Sequence, residues 1–377
     1  MKKNILILAI GFLPNIGGLE THLKDLIDEL IKKNWRVTVL TYQPLHTPTL
    51  GKWKEVSTNL VIYRLPSFRG LFYKFLKIPI LEFLFLEPLL FIVTPLILLM
   101  NPKISIVNAQ GVIAGFSASF WTKIFRKKYV AAVQSIYGFP KEGLYKDICS
   151  WIFKSADKVI AISNQAKKEV EGLGVKVGKI IVYTNWENAK NYRALNKQDS
   201  KKKLNLENKF VVSFFGRLVE EKGILVLLEA VGNCDPEITF LIYGEGPLLD
   251  KVKAAEQEFS NIKYMGIVSP KDLSLHYSAA DLVLMPSLHE EGFGRVAAGA
   301  LMCGTPVIAS NRGALPQVVN SSVGKIIEPA KKEISKAINY YFKNQNNLKN
   351  ITANTRKYAL SKFSSSNSSV IINSFKD

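Results

Sequence analysis

The chain has 377 residues, 47% hydrophobic and 21% charged, which excludes a disordered or fibrous chain and exceeds one ordinary core of about 100–200 residues, so two domains are expected. Fifty Lys+Arg against 31 Asp+Glu give a net +19, unevenly spread: residues 1–193 hold 27 basic and 13 acidic residues (+14), residues 194–377 hold 23 and 18 (+5). The basic first half suggests an anionic partner. Three scattered cysteines (Cys149, Cys234, Cys303) and four histidines (His22, His46, His276, His289) lack metal-ligand or disulfide-framework spacing. A reducing compartment and no metal site are expected.

Met1-Lys2-Lys3 followed by apolar Ile5–Ile10 imitates a signal peptide, but the run is short and has no small-residue cleavage site, so a first buried strand is expected. Strands are predicted over Asn4–Ala9, Arg36–Thr41, Leu60–Arg64, Ile104–Asn108, Tyr129–Gln134, Lys158–Ile162 and Ile180–Tyr183. An amphipathic helix is predicted over Leu19–Lys33. Residues 78–100 are long enough to cross a bilayer, yet Glu82 and Glu87 lie inside and Pro79, Pro88 and Pro95 are predicted to break the helix repeatedly. A pair of core helices and a helix lying in the membrane interface, near Arg64, Arg69, Lys74 and Lys77, both fit.

The polar stretch Asn188–Asn208, with Lys197, Lys201, Lys202 and Lys203, reads as a connection between domains. Strands resume at Phe210–Phe215, Thr239–Tyr243, Ile262–Met265, Leu282–Met285, Pro306–Ala309 and Gly324–Ile327. The Ser/Asn-rich last dozen residues are expected to form a short helix or a frayed tail. Strand–helix alternation on this scale predicts an α/β fold of parallel sheets covered by helices.

Several loops at strand ends carry chemistry. Gly17-Gly18 precedes the first helix, where backbone N–H groups and the helix dipole favour an anion, although the spacing is not that of a nicotinamide-binding loop. Gly216-Arg217 and Glu221-Lys222-Gly223 set two cations near a strand end, suited to a diphosphate; simple pairing with Glu220 and Glu221 is the plainer alternative. Tyr243-Gly244-Glu245-Gly246-Pro247 ends another strand. In Glu290-Glu291-Gly292-Phe293-Gly294-Arg295 a carboxylate suited to sugar hydroxyls precedes a helix start.

Together, Gly-Gly-Leu-Glu-Thr-His, FGRL…EKG, YGEGP, EEGFGR and CGTPVIASNRG resemble, in order and spacing, the family-4 retaining glycosyltransferases of GT-B architecture, over about residues 4–330. The resemblance implies two Rossmann-like domains facing across a cleft: residues 1–190 for the acceptor, 191–360 for the nucleotide sugar, and 361–377 crossing back to the first domain. It implies that Arg217, Lys222 and Glu291 carry the chemistry, with the two cations on the leaving diphosphate and Glu291 on sugar hydroxyls. Gly18, Gly216, Gly244, Gly292, Phe293, Gly294 and Arg295 would contact the donor, and Gly17, Asn108 and Gln110 would lie on the acceptor side.

The pattern departs in places. A second carboxylate eight residues after the first is replaced by Gly299 (Ala298 counted from Glu290), and Leu315-Pro316-Gln317 stands for Leu-Pro-Glu. A His-Ala-His after a strand and before a helix reads Asn108-Ala109-Gln110, Gln134 stands where a later His is frequent, and Asn185-Trp186-Glu187-Asn188 replaces Asn-Gly-Val-Asp. The expected function is metal-independent, retaining transfer of a hexose-type sugar from a UDP- or GDP-type donor, with no cofactor, to a lipid-linked or glycan acceptor in cell-surface polysaccharide or glycolipid synthesis. The expected place is the cytoplasm, in peripheral contact with anionic membrane and without nucleic acid. The alternative is a catalytically weakened homologue that binds a sugar nucleotide or a partner enzyme.

Overall fold

The structure is a computed structural model that describes residues 3–15, 17–45, 49–67, 78–189 and 191–376; Arg69, Lys74, Lys77 and His46 lie outside them. The chain divides into two compact units, Met1–Asn185 with Ser366–Asp377, and Trp186–Ser365. The boundaries fall at 185 and 365 rather than at 190 and 360.

The first unit is built on an eight-stranded sheet. Its strands are β1 (Asn4–Leu8), β2 (Arg36–Tyr42), β3 (Lys54–Ser57), β4 (Leu60–Leu65), β5 (Ile106–Gln110), β6 (Lys128–Val133), β7 (Lys158–Ala161) and β8 (Ile180–Val182), in the order β3-β4-β2-β1-β5-β6-β7-β8. All neighbours are parallel except β3 and β4. The second unit holds six parallel strands, β9 (Phe210–Phe215), β10 (Ile238–Tyr243), β11 (Ile262–Gly266), β12 (Leu282–Met285), β13 (Val307–Ser310) and β14 (Gly324–Ile327), in the order β11-β10-β9-β12-β13-β14. In each sheet the chain reverses its direction of growth beside the first strand, at β1/β5 and at β9/β12. Ligands of open parallel sheets bind outside the carboxyl ends of strands at such a switch, and the Gly11–Gly18 and Gly216–Gly223 loops follow β1 and β9.

Helix α1 (Gly18–Lys32) follows β1 and buries Leu23, Leu26, Ile27 and Leu30. Helix α2 is continuous from Pro79 to Met100, so the expected breaks at its prolines do not occur. Pro79 sits in the first turn, where its missing N–H costs nothing. Pro95 deprives the Phe91 carbonyl of its helical donor, and the Trp121 indole donates to that oxygen at 2.8 Å. Pro88 is exposed, and Leu84, whose carbonyl it would otherwise cap, is exposed as well.

The buried face of α2 (Phe83, Leu86, Leu90, Thr94, Ile97, Leu98) has helical spacing. The helix packs on α3 (Gly111–Ile124), with Phe83 edge-on to Phe116 at 5.3 Å. Its other face stays uncovered: Leu84, Ile92, Leu96, Leu99 and Met100 are exposed, as are Phe120 and Ile124 of α3.

The 188–208 stretch is more than a connection. It contains a helix (Lys197–Lys203) pinned to the second unit through Asp281, whose carboxylate meets Lys201 Nζ at 2.6 Å and Lys197 Nζ at 3.2 Å. The same carboxylate accepts the Val211 N–H at 2.8 Å. Residues Ser368–Ser374 are helical and belong to the first unit, where Phe375 lies 6.0 Å from Trp35.

Candidate functional site

In the second unit, β9 ends in Gly216 and Arg217, and a single tight turn, Glu220–Lys222, follows. Gly223 makes that turn possible. It holds φ +73°, and a Cβ there would stand 1.9 Å from the Pro286 carbonyl oxygen at the end of β12. This contact sets Lys222 against Glu291, Nζ to Oε1 at 2.6 Å, and the pair is mostly buried. Ser287 Oγ donates to the same carboxylate oxygen at 2.7 Å, and His289 Nε2 lies 3.7 Å from it. Lys222 therefore does not pair with Glu220 or Glu221 but reaches across to the next motif. The Glu291 backbone is held in turn by the Ala314 N–H, 2.8 Å from its carbonyl, and Glu290 accepts the Gly313 N–H.

Arg217 is exposed. It lines a cavity of about 440 Å³ together with Gly216, Gly244 and Arg295, so four of the expected site residues meet in one hollow. Gly244 holds φ +131°, and a Cβ on it would overlap the Gly216 carbonyl oxygen at 1.8 Å, so the two glycines let the ends of β9 and β10 touch. Arg295 opens the helix Arg295–Met302 behind its cap, Gly294, but its guanidinium is committed to Glu187 at 3.0 Å. Phe293 is buried and packs edge-on against Phe363 at 5.6 Å, so its side chain is core and only its backbone is available to a ligand. Gly292 is half-buried between Glu291 and Phe293.

The cavity also explains Gly299. A Cβ there would stand 2.8 Å from the Tyr192 ring and 3.2 Å from that of Tyr277, and both rings line the cavity. Aromatic surface fills the space that a carboxylate would need. Phe215 and Tyr243, stacked at 4.3 Å, extend the same wall.

In the first unit, Gly17 caps α1 and Gly18 begins it, with open space above Gly18. Glu20, missed in the sequence, folds back over this loop. It is buried, accepts from Asn15 Nδ2 at 2.6 Å, and its carboxylate occupies the position a Cβ on Gly17 would take. A negative charge already sits at this helix N-terminus, so an incoming phosphate would have to share it.

Asn108 and Gln110 lie within β5, not after it, and both are buried. They belong to a chain that links most of the departures from the family pattern. Asn108 Nδ2 donates to the Val130 carbonyl at 3.0 Å, Gln110 Nε2 to Asn108 Oδ1 at 2.6 Å, and Gln134 Nε2 to Gln110 Oε1 at 3.0 Å. Tyr183 Oη donates to Gln134 Oε1 at 2.5 Å and stands 3.3 Å from His22 Nε2, while His22 Nδ1 is 2.9 Å from Asn185 Oδ1. The donors run in one direction from Tyr183 to Val130, an arrangement in which each bond polarises the next. Amides do not exchange protons near neutral pH, so the chain orients groups and does not relay protons. Tyr183 and His22, which close it, gave no signal in sequence beyond the His at the end of Gly-Gly-Leu-Glu-Thr-His.

Two sheets of this kind, each with its glycine loop at the switch strand, are the hallmark of GT-B proteins, and comparison with known proteins agrees. Residues 16–186 match the family described as Glycosyltransferase Family 4, and residues 196–358 match Glycosyl transferases group 1. The chain belongs to this family of GT-B glycosyltransferases. It is similar to an uncharacterized 41.2 kDa protein in the cps region of Klebsiella pneumoniae, 30% identical over 59% of this chain and 64% of that one. The phosphatidylinositol N-acetylglucosaminyltransferase GPI3 subunit of Saccharomyces cerevisiae is 23% identical over 89% of this chain and 76% of its own. Among solved structures, Anabaena Alr3699/HepE in complex with UDP and glucose superposes with a TM-score of 0.76, at 21% identity and 99% coverage of both chains.

Proposed function

We propose that the chain transfers a hexose-type sugar, with retention of configuration, from a UDP- or GDP-type donor to a lipid-linked or glycan acceptor. The observation that carries this reading is the Lys222–Glu291 contact at 2.6 Å beside the cavity lined by Arg217. In this mechanism Arg217 and Lys222 stabilise the charge that develops on the departing diphosphate, Glu291 accepts hydrogen bonds from the sugar hydroxyls, and the leaving phosphate takes the acceptor proton. The amides of Phe293 and Gly294 add donor contacts within the second unit; in the first, Gly17 and Gln110 face the acceptor, and Asn108 orients Gln110 from within β5. No resident metal or cofactor enters these steps. The solved relative with UDP and glucose bound supports a nucleotide-sugar donor.

The reading includes the membrane. From Pro88 through Lys141 there is no acidic residue and there are six basic ones. The uncovered apolar face of α2 and α3 lies in this segment, with exposed Lys103, Lys123 and Arg126 beside it. An apolar strip with cations at its margin suits the face of an anionic bilayer. The free cysteines fit the cytoplasmic side.

The test is a thermal-shift panel of UDP, GDP, ADP and their sugar conjugates, followed by turnover of labelled donors with membrane lipid extract. A shift with one nucleotide and sugar transfer are expected; no shift and no transfer with any donor would falsify the reading. One observation, the Tyr192/Tyr277 filling over Gly299, favours a second reading, a homologue that binds donor but transfers poorly. Donor protection without turnover selects it.

A further inference from the structure

A cavity of about 500 Å³ lies wholly within the first unit, among residues of the loop after β1, α1, α2, the end of β5, α3, the loop after β6 and the helix Leu144–Ser155. Its walls are apolar (Ile10, Leu19, Ile80, Ile113, Phe139), yet five polar side chains enter it: Glu82, Gln110, Gln134, Tyr137 and Tyr145. Glu82 is the one carboxylate among the described lining residues, and no hydrogen-bond partner for it is found among the described residues. Burial raises its carboxyl above the ordinary value. Burial first, and then the charge of Glu82, raises the Tyr137 hydroxyl, which places the two groups within electrostatic reach. Tyr137 Oη in turn sits 2.8 Å from where a Cβ on Gly111 would stand, over the residue next to Gln110.

Gln110 is held by the amide chain. Its Oε1 accepts from Gln134 and one N–H goes to Asn108, leaving the second N–H uncommitted among the described residues. The cavity thus offers one fixed donor and one carboxylate acceptor inside apolar walls, a combination that recognises a hydroxyl on an otherwise apolar molecule.

We propose that this cavity binds the acceptor as an amphipathic, hydroxyl-bearing molecule whose hydroxyl donates to Glu82 and accepts from Gln110, with Tyr137 closing over it and the apolar part against Ile80 and Phe139. The assignment of this ligand as acceptor rests on the glycosyltransferase reading; the binding chemistry does not. Glu82 is the specificity-determining residue of the pocket, an acid contributed by the apolar helix α2.

The probe is n-octyl β-D-glucopyranoside below its micellar concentration, read by calorimetry against glucose and against the fully O-methylated octyl glycoside. The full chain is expected to bind octyl glucoside and to bind both comparators at least about tenfold more weakly, because one lacks the apolar part and the other the hydroxyls. Glu82→Gln, which removes the charge at constant shape, should weaken octyl glucoside by about tenfold or more, and Glu82→Asp should recover part of the loss. If Glu82→Gln does not fold, Tyr137→Phe and the wild-type selectivity stand in its place. Equal binding of the O-methylated glycoside, no binding of octyl glucoside, or unchanged affinity in Glu82→Gln each overturns the proposal. UDP protection, measured separately, reports on the donor reading, so failure of one is distinguishable from failure of the other.

Discussion

The candidate sites of the two units are built from opposite chemistry. Around Arg217 in the second, the groups are charged: an exposed guanidinium, and a lysine held to a carboxylate that itself takes a serine hydroxyl. Around Gln110 in the first, neutral amides and one phenol hold each other in a directed chain, and the one carboxylate among the cavity's described lining residues comes from an apolar helix. A site that must accept a polyanion and then stabilise its departure needs fixed positive charge. A site that must hold an alcohol at one face needs direction more than charge, and neutral groups provide it without the large desolvation cost of buried ions.

The sharpest way to break the contrast is to remove the cations. Arg217→Ala and Lys222→Ala should each lower sugar transfer by about 100- to 1,000-fold, and Lys222→Ala should also leave Glu291 without its ion-pair partner. Steady-state kinetics with the donor found by thermal shift checks this; a loss under tenfold would move the charge-stabilising role elsewhere in the second unit.

Next in size is Gly299→Glu. A new side chain there meets Tyr192 and Tyr277 at once, and overpacking of this kind costs about 1–3 kcal/mol. A lower melting temperature is expected, with weaker nucleotide protection as the rings shift. If Gly299→Glu instead melts normally and binds donor more tightly, the aromatic wall is a tolerated filling and not a fixed one.

A smaller effect tests the other unit. Tyr183→Phe deletes the hydroxyl that orients Gln134, and a net hydrogen bond is worth about 0.5–1.5 kcal/mol. Octyl glucoside should bind roughly 2- to 10-fold more weakly while UDP protection stays as in wild type. Equal losses for both ligands would erase the distinction between the units.

The smallest prediction concerns pH. Glu87, buried in α2 and accepting from Ser117 Oγ at 2.9 Å, has its carboxyl pushed by burial from an ordinary 4.5 to about 7. The folded chain keeps a proton that the unfolded chain has already released, so its contribution falls as pH rises from about 5 to 8. Glu87→Gln should melt like wild type at pH 5 and at a higher temperature than wild type at pH 8. Identical melting at both pH values would show that the group titrates like an exposed acid.

Much of the architecture was written in apolar, β-branched runs, and thirteen of the fourteen strands stand where those runs predict them. The exception, β3 (Lys54–Ser57), is a short antiparallel edge strand with three exposed residues, so it carries no apolar signal. The prolines of α2 misled because the remedy for Pro95 lies outside the helix, on Trp121 of α3. Lys222 and Glu291 were legible as residues because each sits in a compact glycine-bounded motif. Their contact was not, since it depends on Gly223 pressing against Pro286. The amide chain was least legible of all: His22, Asn108, Gln110, Gln134, Tyr183 and Asn185 come from separate elements, and only tertiary structure lines them up.

The membership of residues 366–377 in the first unit constrains how the molecule can be dissected. Ile371, Ile372 and Phe375 are fully buried there, so an excised 1–185 fragment would lose a piece of its own interior and present Trp35 to water. A circular permutant that joins 366–377 directly ahead of residue 1 is the rational starting point for isolating that half.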